Sequence, residues 1–298
     1  MKNLASKIVC FGEMLWDILP SGKQAGGAPF NVALHLKNFD LAPNLISKIG
    51  EDELGRELFD FVQGKNILTD WIQKDYTFPT GVVYANVKDS SEVSYDIVQP
   101  VAWDQIRSNP ALEVLTISSD YFIYGSLVAR QNPSQEALFK LLEFANYKIF
   151  DVNLRPPHYQ PECIAQLLSK ANMVKMNHHE LAEITAWDTS LGGLKDQMMF
   201  LKDRYELDKV CISLGEKGAC LLAGEAFYEQ PAFQIQVLDT IGSGDSFLAS
   251  FLFKMINKAS YAESLRFACA TGALVATYRG ATPSINQAMI ENFMKEKG

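Results

Sequence analysis

Apolar, β-branched runs alternate with runs of helical spacing along most of this chain, and that alternation limits its fold more than any other feature. Lys7–Gly12, Leu45–Ile49, Tyr121–Tyr124, Lys148–Asp151, Met173–Met176 and Lys209–Ser213 read as strands. Pro29–Phe39, Asp52–Lys65, Ser134–Ala145, Glu162–Ala171 and Leu194–Tyr205 read as helices between them. The pattern predicts an α/β fold with a mostly parallel central sheet and helices on both faces. Two short strands, Ala219–Ala223 and Ala226–Glu229, and three helices, Gly244–Ile256, Tyr261–Tyr278 and Ile285–Lys295, close the chain. One region breaks the rhythm: Gly81–Val87 and Val93–Val98, joined by a turn-like Lys88–Glu92, predict a hairpin projecting from the main sheet. No linker, repeat or low-complexity segment divides the chain, and 298 residues at 48% hydrophobic composition suffice for one large core without disulfide support.

Charge narrows the partners. With 27 basic against 35 acidic residues the net charge is −8, which argues against nucleic acid or an anionic membrane. An anionic ligand must therefore be met locally, by amides, metal and a few cations. Cys10, Cys163, Cys211, Cys220 and Cys269 show no CxxC spacing and mostly sit in apolar runs, as buried thiols of a reduced, cytoplasmic protein do. No apolar run reaches the ~18 residues of a membrane span, and no signal-peptide block precedes the first strand.

The chemistry concentrates in Asp239-Thr240-Ile241-Gly242-Ser243-Gly244-Asp245-Ser246-Phe247. Leu248, Phe251, Leu252 and Met255 have the spacing of a buried helix, so Gly242, Ser243 and Gly244 fall at its N-terminus, where unpaired backbone N–H groups and the positive end of the dipole hold anions. Glycine allows close approach. Asp245 then lies beside the anion, placed to take a proton from an attacking hydroxyl. Far upstream, Gly26-Gly27-Ala28-Pro29-Phe30-Asn31 follows Gly12-Glu13-Met14-Leu15-Trp16-Asp17. Its paired glycines allow backbone approach to a small polar ligand, Pro29 suits a first helical turn, and Asp17 and Asn31 offer groups for hydroxyls.

Three further strings stand out. Asp151-Val152-Asn153-Leu154-Arg155 ends a predicted strand, where ligands gather in open α/β sheets, and Arg155 supplies a cation there. Asn177-His178-His179-Glu180 follows a strand and opens a helix; its adjacent histidines lack the second histidine of HExxH, which argues against zinc. Ser213-Leu214-Gly215-Glu216-Lys217-Gly218 reads by itself as a hairpin turn. No GxxxxGK[ST], strand-linked GxGxxG or GxSxG occurs.

Asp-Thr-x-Gly-Ser-Gly-Asp closely resembles the C-terminal signature of the ribokinase-like carbohydrate kinases, the phosphofructokinase-B family, with Ser243 where that family usually has Ala. The Gly26–Asn31 loop resembles the family's N-terminal substrate loop, and the resemblance runs from Gly12 to Gly280-Ala281. It implies a ribokinase-like domain over residues 1–298, a β-lid at about 81–98 that covers a sugar, and ATP-dependent phosphorylation of that sugar at a terminal hydroxyl. Asp245 is then the base and Gly242, Ser243 and Gly244 the anion hole. Asp17, Gly26, Gly27, Asn31 and Arg155 become sugar contacts, as do Tyr84 and Tyr95 on the lid. Asn177 and Glu180 would organise Mg2+ and its waters, and Ser213, Gly215 and Gly218 the nucleotide turn. Arg155 would also meet the transferring phosphate. The Gly-Glu-x-Leu-x-Asp opening looks most like that of fructokinases. The resemblance leaves open a K+-like cation near Asp239–Gly242, a homodimer, a 2-keto-3-deoxygluconate or nucleoside acceptor, and a non-catalytic sugar-binding regulator.

Overall fold

A computed structural model describes residues 7–19, 22–88 and 92–297; the side chains of 85–88 and 92–95 lie outside that description. The chain runs through β1 (Ile8–Phe11), β2 (Leu15–Leu19), β3 (Gly22–Gly26), α1 (Ala28–Asn38), β4 (Pro43–Gly50), α2 (Glu53–Gly64), β5 (Ile72–Asp75), β6 (Gly81–Lys88) and β7 (Glu92–Ile97). It continues through α3 (Pro110–Ile117), β8 (Tyr121–Gly125), α4 (Asn132–Leu142), β9 (Tyr147–Asp151), α5 (Pro161–Lys170), β10 (Met173–Asn177), α6 (His178–Ala186), α7 (Leu194–Arg204) and β11 (Lys209–Ser213). β12 (Ala219–Ala223), β13 (Ala226–Gln230), α8 (Ser243–Ile256), α9 (Tyr261–Val275) and α10 (Gln287–Lys297) complete it.

Nine strands form one sheet in the order β13-β12-β11-β10-β9-β8-β1-β4-β5, parallel from β5 to β11 and antiparallel at the β11–β12–β13 edge. The two-residue period of a strand sends alternate side chains to opposite faces. Ile8 and Cys10 accordingly join the core under α1, α2, α8, α9 and α10, while Val9 and Phe11 join the one under α3 to α7. Helices thus cover both faces, as the alternation predicted. Because the chain builds outward from β1 first through β4 and then through β8, the order reverses between β1 and β8. Crevices at the carboxyl ends of such strands are where open α/β sheets bind ligands.

The predicted hairpin is half of something larger. β6 and β7 pair antiparallel, but β6 also pairs in parallel with β2, and β2 with β3, giving a separate four-stranded sheet β3-β2-β6-β7. Leu15, Val83 and Ile97 fasten it to Val101, Trp103 and Leu127 in a small core of its own. β3 was hidden in the sequence because Gly22-Lys23-Gln24 is too polar and glycine-rich to read as a strand without its partner, and β2 because its five residues, Leu15–Leu19, are interrupted by Asp17. α9 also stops three residues short of the predicted Tyr278. No helix among the described residues is long and apolar enough to cross a membrane.

Candidate active site

α8 begins without a side-chain cap, so its first-turn amides have no side-chain acceptor. Gly242 precedes it in the left-handed region at φ 76°, and a Cβ there would overlap the Ala281 carbonyl; only glycine meets both demands. Asp239 holds the approach, accepting Ile241 N–H through Oδ1 and Gly280 N–H through Oδ2, each at 3.0 Å. Asp245 lies in the first turn, 8% exposed, and its Oδ2 accepts from Asn31 Nδ2 at 2.8 Å. Burial pushes the Asp245 carboxyl upward, against the pull of Lys175, Asn31 and Arg155.

Asn31 sits in the first turn of α1 with Oδ1 buried and unpartnered. Ahead of it, Gly27 at φ 114° leaves no room for a Cβ against the Glu13 carbonyl, and a Cβ on Gly26 would strike the Asp17 carboxylate. Gly26 therefore does not line the site; its bare Cα makes room for Asp17, which does. Burial drives Asp17 to about 6, with Arg155 opposing and Asp245 reinforcing the rise. Glu13 is buried; Oε1 accepts Ala28 N–H at 3.2 Å and Oε2 has no partner. Burial lifts it to about 7.

The third wall comes from the carboxyl ends of β8 to β10. Lys175 Nζ donates to Asp151 Oδ1 at 2.9 Å with both side chains buried, and Asp151 Oδ2 is unpartnered. After β9, Asn153 adopts φ 44°, a conformation costing on the order of 1–3 kcal/mol that surrounding contacts must hold. Ser126 Oγ, donating to the Asn153 carbonyl at 3.3 Å, is one such contact. Glu180 supplies another: Oε1 accepts Leu154 N–H and Oε2 accepts Asn177 N–H, both at 2.8 Å. Asn177 Oδ1 in turn takes the N–H groups of His179 and Glu180 at 2.9 Å, so Asn177 and Glu180 form a capping box at the start of α6. Arg155 is exposed and donates from Nη1 to the Leu154 carbonyl at 2.9 Å.

These walls enclose a cavity of about 540 Å³. It brings together Asp17, Gly27, Asn31, Arg155, Gly242, Gly244 and Asp245, all expected from the sequence. It adds Glu13, Gln24 and Lys175, which sequence reasoning missed. Lys175 had a signal, a lone cation inside the apolar strand Met173–Met176, and Glu13 lay within a quoted motif without a role. Ser243, Asn177 and Glu180 stand behind the lining. Ser213 pairs in register with Asn177, which puts the Ser213–Gly218 turn beside α6; Gly218, at φ 103°, is glycine because the Gln230 carbonyl crowds it. Tyr84 departs from expectation. It alternates with the cavity-facing Val83, lies outside the lining and is 45% exposed. The Tyr95 side chain lies outside the described residues.

The pattern of the pfkB family of carbohydrate kinases matches residues 7–288. A fructokinase of Solanum tuberosum is 28% identical over 302 residues, covering 93% of this chain and 92% of that protein. The fructokinase with bound ATP from Xylella fastidiosa superposes with a TM-score of 0.86 at 23% identity, over 98% of this chain and 99% of that one. The fructokinase of Vibrio cholerae O395 in its fructose-, ADP- and calcium-bound form gives 0.85 at 21%, over 97% and 99%. The chain belongs to the pfkB family of carbohydrate kinases, and its reaction is ATP-dependent phosphoryl transfer to a sugar hydroxyl.

Proposed function

We propose that the cavity phosphorylates D-fructose at a terminal hydroxyl, with Asp245 as general base. The contact between Asn31 and Asp245 carries this reading, because it ties the loop that would hold the sugar to the helix that would hold the phosphate. The hydroxyl oxygen attacks the γ-phosphorus, its proton passes to Asp245, and the bond to the β-phosphate oxygen breaks to release ADP. Amides of Gly242 to Gly244 meet charge on the phosphoryl oxygens. Unpartnered Glu13 Oε2 and Asn31 Oδ1, with Asp17, fit a polyhydroxy acceptor, since each would be left unsatisfied by an apolar ligand.

Magnesium fits through water rather than directly. Among the described residues no cluster of three or more His, Cys, Asp and Glu side chains is arranged to hold a metal. Asn177 Oδ1 already takes two amides, whereas each Glu180 oxygen takes one and keeps a lone pair for a hydrated ion. Bound there, Mg2+ would neutralise charge on the nucleotide phosphates. Asn177 orients Glu180, and the Ser213–Gly218 turn borders the nucleotide. A K+-like cation beside Asp239–Gly242 rests on the family resemblance. We read residues 1–298 as one catalytic unit with the four-stranded sheet as its lid, and the five free cysteines as those of a reduced, cytoplasmic protein.

The test is phosphorylation by MgATP of fructose, 2-keto-3-deoxygluconate, ribose and adenosine at equal concentration. Fructose is expected to give the highest kcat/KM. A higher value for any other acceptor overturns the fructose assignment and keeps the kinase; no phosphorylation at all favours a regulator.

A further inference from the structure

Lys175 is a buried cation in the cavity lining that has no role in the phosphoryl transfer described so far. It is 6% exposed and sits on β10 between the apolar Val174 and Met176. An ammonium has three donors, yet the only acceptor bonded to Nζ among the described residues is Asp151 Oδ1. Lys175 also lines the cavity. Gly244 marks where the ammonium sits: a Cβ on that glycine would stand 2.9 Å from Lys175 Nζ. The ammonium therefore lies against the first turn of α8, beside the amides of the phosphate turn, and glycine at 244 keeps the two in contact.

We propose that Lys175 is a catalytic cation, donating to the γ-phosphoryl group as it passes from ATP to the sugar, with Asp151 as the residue that positions it. This rests on reading the Gly242–Gly244 turn as the phosphate site. The lysine forms and breaks no covalent bond. The acceptor oxygen bonds to phosphorus, the bond to the β-phosphate oxygen breaks, the hydroxyl proton goes to Asp245, and Lys175 keeps its own protons while balancing charge that builds on the phosphoryl oxygens. Asp151 holds the ammonium by one donor and leaves two for the substrate. Arg155 is the weaker candidate for this task, being exposed and bonded to the Leu154 carbonyl.

Removing the lysine alone would strand the buried Asp151 carboxylate and could unfold the protein, so the informative variant is the double K175M/D151N, with D151N as its partner. If Lys175 touches the phosphoryl group, the folded double variant loses roughly 10²–10³-fold in kcat, while KM for both substrates stays within about threefold. It should also fail to bind ADP with aluminium fluoride and fructose more tightly than ADP with fructose, a gain that calorimetry would record for the parent. D151N, which keeps the lysine, should lose far less. Turnover of the double variant within about fivefold of the parent, or a D151N loss as deep as that of the double variant, would reduce Lys175 to a counter-ion and overturn the proposal. D245N separates the two readings: an active D245N removes the site itself, whereas an inactive D245N beside an active double variant removes only the lysine's role.

Discussion

The wall of the cavity that carries Asp245 grows from a helix buried continuously from Asp245 to Phe253, whereas the opposite wall is a four-stranded sheet with half-exposed Tyr84 on its outer face. On the first wall nearly every position is determined twice. Gly242 is held by its own φ and by Ala281, and Asp239 spends both oxygens on backbone amides. On the second, Asp17 and Gln24 hang from strands held on one side by the small core around Leu15, Val83 and Trp103 and on the other by Trp16, which joins the main core and donates from Nε1 to the Leu54 carbonyl at 2.9 Å. Moving a proton and a phosphoryl group requires groups fixed in a site that excludes water, and a helix packed between α1 and α9 supplies that. Choosing an acceptor requires only side chains of suitable shape, and a thin sheet can carry those. The contrast teaches that damage to the first wall should appear in kcat, and damage to the second in acceptor KM.

The largest expected effect breaks the first wall. Asp245→Asn should lower kcat by roughly 10²–10⁴-fold with little change in ATP affinity, because it removes the base and leaves the amides. Single-turnover measurements check this, and near-normal turnover would take Asp245 out of the mechanism.

Glu13 accepts the first amide of α1, and its effect is on stability. Its carboxyl is raised from the ordinary 4.5 to about 7 by burial, so the folded state holds the proton more tightly than the unfolded chain does. That contribution is fully present below about pH 4.5 and is lost as pH rises through about 7, in total on the order of 3 kcal/mol. Glu13→Gln should flatten this slope, so the melting temperature of the parent should fall relative to the variant between pH 5 and pH 8. Parallel curves would mean that Glu13 ionises in the folded protein as it does in water.

Asp17→Ala tests the second wall. Leaving a sugar hydroxyl without its partner costs about 1–3 kcal/mol, so KM for fructose should rise roughly tenfold to a hundredfold while kcat moves little. A loss confined to kcat would erase the contrast between the walls. The smallest effect should come from Tyr84→Ala: a side chain outside the cavity should change kcat/KM by less than about twofold. A drop as large as that of Asp17→Ala would place Tyr84 against the acceptor after all.

Much was legible in the residues alone, because the determinants were local. The unbroken apolar run Ile8-Val9-Cys10-Phe11 reads as a buried strand, and the spacing from Leu248 to Met255 as a buried helix; both demands are met within a few residues. The glycines at 26, 27, 242 and 244 pointed to the site by the same route. What stayed hidden depends on partners distant in sequence. Gln24 becomes a cavity residue only once β3 pairs with β2, and Tyr84 is turned away only by the register that faces Val83 inward. A pair such as Asn177 and Glu180 can be recognised from its spacing, but the spacing cannot say that Glu180 reaches across to Leu154. Lys175 marks the boundary most sharply: the sequence shows a charge inside an apolar strand, and only tertiary packing sets that charge between Asp151 and Gly244, because a buried ammonium is stable solely where other elements bring it an opposite charge and an opening.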